Sequence, residues 1–195
     1  MTMAVPDCDR RRAWVARRAP RAASDITLRS AAPDEAEALH ELITSHLEEG
    51  HLLPRSLDEL SVRAPRFVVA TVGGRIVACA ELAPLSGAVA EVRSLVVHRH
   101  ARALGIGRRL VDELQRQARV EGYDRLCAFT HEPGYFVRMG FSIVPHTWVP
   151  EKIAHDCTGC ALFRRCGQHA VVLTLRDGRP ATSGPGAVSL PAPRG

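Results

Sequence analysis

Lysine is almost missing from this chain of 195 residues. Of its 26 basic side chains only Lys152 is a lysine, and the remainder are arginine. With plentiful alanine, glycine and proline, that bias points to a GC-rich coding sequence rather than to a chemical need for guanidinium everywhere. Aromatic side chains are scarce as well, at 5%. No basic stripe interleaved with rings exists, of the kind that stacks on and tracks nucleic acid. No run of 18 apolar residues occurs, so no membrane span is expected.

What is present fits one globular domain. Hydrophobic residues make up 46% of a chain long enough for a sizeable core. The net charge of +5 is placed unevenly. Residues 1–24 carry six Arg and two Asp, giving +4, and residues 176–195 carry three Arg and one Asp, giving +2. The stretch between them is therefore near −1, since 5 − 4 − 2 = −1. A basic excess confined to the tails argues against a nucleic-acid partner. Residues 1–24 resemble a transit peptide in composition but lack the apolar segment of a secretory signal, and they read as a disordered extension or an early start. Residues 177–195, rich in Pro, Gly and Ala, read as a second disordered tail. The domain then occupies residues 25–176. Six cysteines form no evident disulfide framework, which suggests reduced thiols in a cytoplasmic protein.

Periodicity yields an ordered series of elements. Ile26–Ser30 reads as a strand. Pro33 opens a helix with Ala36, Leu39, Leu42, Ile43 and Leu47 at helical spacing, stopped by Gly50. Ser56 caps a short helix, with Glu59 three residues on. Strands Arg66–Val72 and Arg75–Leu85 flank a Gly73-Gly74 hairpin turn, and Val89–His98 follows. A helix over Ile106–Glu121 buries Leu110, Leu114 and Ala118, with Val111 and Val120 beside them. Leu126–Thr130, Phe141–Trp148 and His169–Leu175 read as strands, and Pro133–Met139 as a short helix. The expected class is an α/β (α+β) domain with a mixed sheet.

The chemistry concentrates between Ala90 and Glu121. Arg102, Gly105 and Gly107 stand as R-x-x-G-x-G where the helix begins. Such glycines let the main chain approach an anion, and the first unpaired helical N–H groups then point at it. Arg102, Arg108 and Arg109 add charge. A dinucleotide fingerprint is not met, because Leu110 takes the place of its third glycine.

This segment resembles the acetyl-CoA-binding core of the GNAT N-acetyltransferases, whose signature is R/Q-x-x-G-x-G/A after a strand. Ala103 stands where one form of that pattern has glycine. Tyr135–Phe141 resembles the family's "Y-E-K-L-G-F" helix end. From about Leu28 to Leu175 the chain is further similar to the acetyltransferase domain of short, single-domain N-acetylglutamate synthases. The segments carrying this are Glu49–Ser56, Ala90–Val97, Leu126–Thr130 with Phe136–Phe141, and Val149–Lys152. No segment resembles the amino-acid-kinase-like domain of the long synthases.

The resemblance implies a mostly antiparallel sheet flanked by helices, and acetyl-CoA held by Leu95, Val96, Val97, Arg102, Leu104, Gly105, Ile106, Gly107, Arg108 and Phe136. It implies L-glutamate as acceptor. An ammonium must lose a proton before it attacks a thioester, which makes Glu91 the expected base. A dicarboxylate needs cations, which makes Arg55 and Arg93 the expected partners, with His131 and the Thr130 hydroxyl beside them. Phe136 falls where many relatives carry a tyrosine acid, and Tyr135 is expected to point elsewhere. A CoA thiolate can leave unaided or take a proton from water. A homodimer is compatible with the sequence.

Cys157, Cys160 and Cys166 form C-x2-C-x5-C, with His169 near. Zinc accepts such ligands, but a second ligand pair is missing, and thiols shaping a loop near the substrate are the simpler reading. Other functions compatible with the sequence are acetylation of another small amine or a protein N-terminus, and a non-catalytic acyl-CoA sensor.

Overall fold

The computed structural model describes residues 26–49, 52–160 and 163–176. Both expected tails, and Gly50 as the expected helix stop, lie outside the described residues. Strand β1 spans Ile26–Ser30. A 3-10 turn at Pro33–Glu35 leads into helix α1, Ala36–Thr44. The helix ends earlier than its apolar spacing suggests. Ser45 Oγ and His46 Nδ1 both donate to the Leu42 carbonyl, at 2.9 and 2.8 Å, and so compete for a group the next turn would need. Leu47–Glu49 forms a separate 3-10 turn. Helix α2, Leu57–Arg63, is capped by Ser56, whose Oγ accepts from the Glu59 N–H at 3.1 Å.

Strands β2 (Phe67–Val72), β3 (Arg75–Pro84) and β4 (Val89–Val97) form an antiparallel meander. Gly73 and Gly74 have φ of 55° and 80°, as a two-residue turn between twisted strands requires. Helix α3 (Ile106–Val120) crosses over to β5 (Arg125–Thr130), which makes the β4–β5 pairing parallel. Then come α4 (Pro133–Val137), β6 (Ser142–Val144), α5 (Pro150–Lys152) with a π-helical turn at Ile153–Cys157, and β7 (His169–Thr174). The sheet order is β1-β2-β3-β4-β5-β7-β6. Strand β6 is shorter than expected, because Pro145 cannot donate to a ladder and starts a 3-10 turn instead.

Alternation along the strands builds two cores. Val68, Ala70, Ala78 and Leu82 face α3, against Ile106, Leu110, Val111, Leu114 and Ala118. Phe67, Val69, Cys79 and Val96 face the other way, against Leu39, Ile43 and Leu60. Val120, expected to be buried, is 75% exposed. It lies two residues beyond Ala118, which on a helix is nearly the opposite side. Among the described residues no helix is long and apolar enough to cross a membrane.

Candidate active site

Parallel pairing between β4 and β5 lasts only three residues, Val89↔Arg125, Ala90↔Leu126 and Glu91↔Cys127. Beyond it the strands part. Val92–Val97 on one side and Ala128–Thr130 on the other line a cavity of about 870 Å³. A bulge in β4 assists the parting: Cys79 pairs with Val96 and Glu81 with Arg93, so Ala80 faces both Ser94 and Leu95. Ser94 takes the left-handed conformation, φ 48°, which is unusual for a non-glycine residue.

At one end of the cleft lies the glycine loop. Gly105, φ 70°, caps α3 without a side chain. Ala103, φ 65°, is also left-handed, so the replacement of glycine noted in the sequence costs backbone strain rather than bulk. A Cβ on Gly107 would lie 2.5 Å from the Tyr135 hydroxyl. Ile106 and Val96 bury their side chains in the two cores, and Leu104 packs against the first, partly buried. Arg102 donates to the Val97 carbonyl at 3.1 Å and makes a two-pronged pair with Glu49 at 2.9 and 2.7 Å. The Arg102 bonds hold the Glu49 carboxyl below its usual range. Arg108 is exposed, 3.8 Å from Asp112.

Charge gathers at the other end. Glu91 is 3% exposed, so it is not a surface strand residue. Its two oxygens accept from Lys152 Nζ at 2.8 and 2.9 Å, and one accepts from Arg93 Nε at 2.5 Å. Asp156 completes the group, accepting from Arg93 Nη2 and, at 2.7 Å, from Lys152. Partial burial alone would raise the Asp156 carboxyl. Bonds from Lys152 and His155 and the charges of Lys152 and Arg93 overcome this and hold it down at about 2. Lys152 also lies 5.3 Å above the Phe129 ring.

Arg55 lines the same cleft, and three of its five N–H groups are engaged. It donates to Glu59 at 2.9 Å, to the Ser94 hydroxyl at 3.2 Å and to the fully buried Glu81 at 3.0 Å. Arg63 donates to Glu81 from the other side at 2.6 Å. Thr130 Oγ1 accepts from the Glu132 N–H at 2.9 Å, and both Thr130 and His131 line the cleft.

Two placements differ from the sequence reading. Tyr135 does not point away: it lines the cleft beside Phe136, with the two rings edge to face at 5.5 Å. A helix only five residues long, set at the cleft wall, presents both neighbours to it. Burial raises the Tyr135 hydroxyl's pKa, and Asp112 adds to this. Lys152 and Asp156, absent from the expected site, stand at its centre. The signals available for Lys152 were its being the single lysine and its place in the Val149–Lys152 segment. Cys157, Cys160 and Cys166 all line the cleft, whereas His169 does not. Among the described residues no group of three or more His, Cys, Asp or Glu is placed to hold a metal. Burial raises the Cys157 thiol's pKa.

A sheet that splays at its parallel pair, with a glycine loop at a helix start beside the opening, defines a class of acyl-CoA-dependent enzymes. Residues 34–141 match the acetyltransferase (GNAT) family, and the chain belongs to it. It is an acetyl-CoA-dependent N-acetyltransferase. An uncharacterised N-acetyltransferase of Chlorobaculum tepidum is 33% identical over 153 residues, covering 78% of this chain and 99% of that protein. The amino-acid acetyltransferase of Shewanella oneidensis is 32% identical over 127 residues, but the match spans only 28% of its length. Among solved structures, the N-acetylglutamate synthase of Neisseria gonorrhoeae, complexed with coenzyme A and N-acetyl-glutamate, superposes with a TM-score of 0.70 at 25% identity. That match covers 78% of this chain and 35% of the synthase.

Proposed function

We propose that the protein acetylates the α-amine of L-glutamate, giving N-acetyl-L-glutamate, a step toward arginine. The observation that carries this reading is the buried Glu91 carboxylate, paired with Arg93 and Lys152 in a cleft that Arg55 also lines. An amine acceptor needs a proton acceptor, and an anionic acceptor needs cations. Both are present within one cavity.

In this reading the main chain of Leu95–Val97 and of the loop through Gly107 binds the acetyl donor, with Arg102 and Arg108 adding charge. Glu91 takes a proton from the glutamate ammonium, directly or through water. The freed amine attacks the thioester carbon and a C–N bond forms; the C–S bond then breaks with its electron pair going to sulfur, and the surplus proton on nitrogen passes to that thiolate or to water, leaving the neutral amide. Main-chain N–H groups near Leu95 and Val97 support the oxygen that gains charge. Phe136 shapes the pocket and supplies no proton. Arg55 holds an acceptor carboxylate, aided by Arg93, Thr130 and His131. The likeness to the gonococcal synthase and to amino-acid acetyltransferases supports the choice of acceptor. The test is CoA release over a panel of amino acids and a peptide N-terminus. L-Glutamate is expected to be fastest, and equal rates with glutamine or the peptide would refute the assignment.

A further inference from the structure

Four side chains at the acceptor end form a closed, neutral set: Glu91 and Asp156 against Arg93 and Lys152. Three of them are nearly dry, with side-chain exposures of 4% for Glu91, 14% for Arg93 and 13% for Lys152. Every Lys152 ammonium proton is used, two on Glu91 and one on Asp156. A further carboxylate entering here would put an unbalanced charge in a poorly solvated place, which is costly. One of the two resident carboxylates must therefore leave as an anionic acceptor arrives.

The two are not equally free to go. Glu91 is fixed on a strand, in register with Ala83 on one side and Cys127 on the other. Asp156 is 31% exposed and sits on the π-helical turn Ile153–Cys157, a rare geometry frequent at functional sites. Its other oxygen is 2.8 Å from His155 Nδ1, on a half-exposed ring at the rim. Asp156 can turn out to water, and Glu91 cannot.

From this we infer that Arg93 and Lys152 form a carboxylate-binding subsite for the acceptor, and that Asp156 is its resident occupant in the free protein. The acceptor's carboxylate exchanges with that of Asp156, one anion for another on the same two cations. The cluster stays neutral, and Glu91 keeps its place beside the incoming amine. Arg55 spends three of its five N–H groups on Glu81, Glu59 and Ser94, which leaves two to donate to a second carboxylate. This rests on the reading of an anionic amine acceptor and adds to it two residues, Lys152 and Asp156, with opposite effects on binding.

The probe is glutarate, a dicarboxylate with no amine, measured by calorimetry on the full chain with CoA bound. Asp156→Asn keeps the shape and removes the competing charge, so glutarate is expected to bind roughly 10-fold more tightly or better, as expected for removal of one charged competitor. Lys152→Met is expected to weaken glutarate by a similar factor while CoA affinity holds. Glutarate affinity that is unchanged or weaker in a folded Asp156→Asn protein overturns the inference. Should that variant fail to fold, hydrogen exchange on the wild type decides. Saturating glutarate is expected to speed exchange over residues 153–160, and unchanged or slower exchange there overturns the exchange of carboxylates. None of these readouts needs acetyl transfer, so they fail separately from the acceptor panel, which alone judges glutamate as the substrate.

Discussion

At one end of the cleft the protein offers main chain. Val96 and Ile106 bury their side chains and Leu104 does so in part, and the space where a Cβ on Gly105 would stand is open, whereas Gly107 faces the Tyr135 hydroxyl. At the other end it offers side chains, drawn from β3, β4, the α2 loop and the turn after α5, and locked in mutual ion pairs. In the proposed reading the first end holds what every donor of this kind shares, a polar backbone and a diphosphate, and the second chooses among amines. Main-chain recognition is fixed by the fold and does not discriminate, whereas a network of paired charges is specific but must be rearranged to be used.

Breaking the main-chain end is expected to have the largest effect. Gly107→Glu places a carboxylate at the helix start, against Tyr135, where the diphosphate is to bind, and should remove measurable acetyl-CoA binding by calorimetry while circular dichroism stays native. Retained affinity would move the phosphate site elsewhere. At the charged end, Glu91→Gln should lower turnover by about 10²–10⁴-fold, the usual share of a general base, with CoA affinity unchanged. Wild-type turnover in that variant would remove Glu91 from the chemistry.

Smaller again is Arg55→Ala, expected to raise the KM for glutamate by about 10- to 150-fold, equivalent to the loss of one charged hydrogen bond of roughly 1.5–3 kcal/mol. Because Glu81 is fully buried and keeps only Arg63, this variant should also melt earlier. A KM change with no loss of Tm would mean that the Arg55–Glu81 pair adds little to folding. The smallest effect concerns acid. Burial, with His46 and His100 nearby, lowers His98 from 6.5 to about 4, so the unfolded chain binds the extra proton first. Stability is then complete above pH 6.5 and falls as pH drops through 4. Asp156 is lowered from 3.8 to about 2, so its share is complete above pH 3.8 and is lost on approach to pH 2. His98→Phe should flatten the upper part of a Tm-against-pH curve and leave the lower part, and Asp156→Asn should do the reverse.

The two ends also differ in how far they could be read from sequence. R-x-x-G-x-G before an amphipathic stretch is local: spacing alone puts Arg102, Gly105 and Gly107 at one helix start. The meander was legible for the same reason, since Gly73-Gly74 and period-two burial are short-range signals. Glu81, Ser94, Lys152 and Asp156 were not legible as a group. They meet only because β3 and β4 slip by one residue at Ser94 and because the chain returns past β5 after α5. Glu81 in particular reads as a charge interrupting an apolar strand, and its two arginines lie 26 and 18 residues away. Tyr135 was misplaced because a five-residue helix has no settled inner and outer side.

The near absence of lysine acquires a meaning beyond codon usage once Lys152 is placed. An enzyme that handles thioesters works amid a reagent that acylates amines without help. Here the only side-chain amine is shut in the cleft, 13% exposed and held by three ion-paired hydrogen bonds. Arginine, its guanidinium always protonated, carries the surface charge in its place. The protein therefore offers its own co-substrate almost no side-chain amine to modify. An amine-selective label added in the laboratory would find Lys152 as the single lysine among these 195 residues.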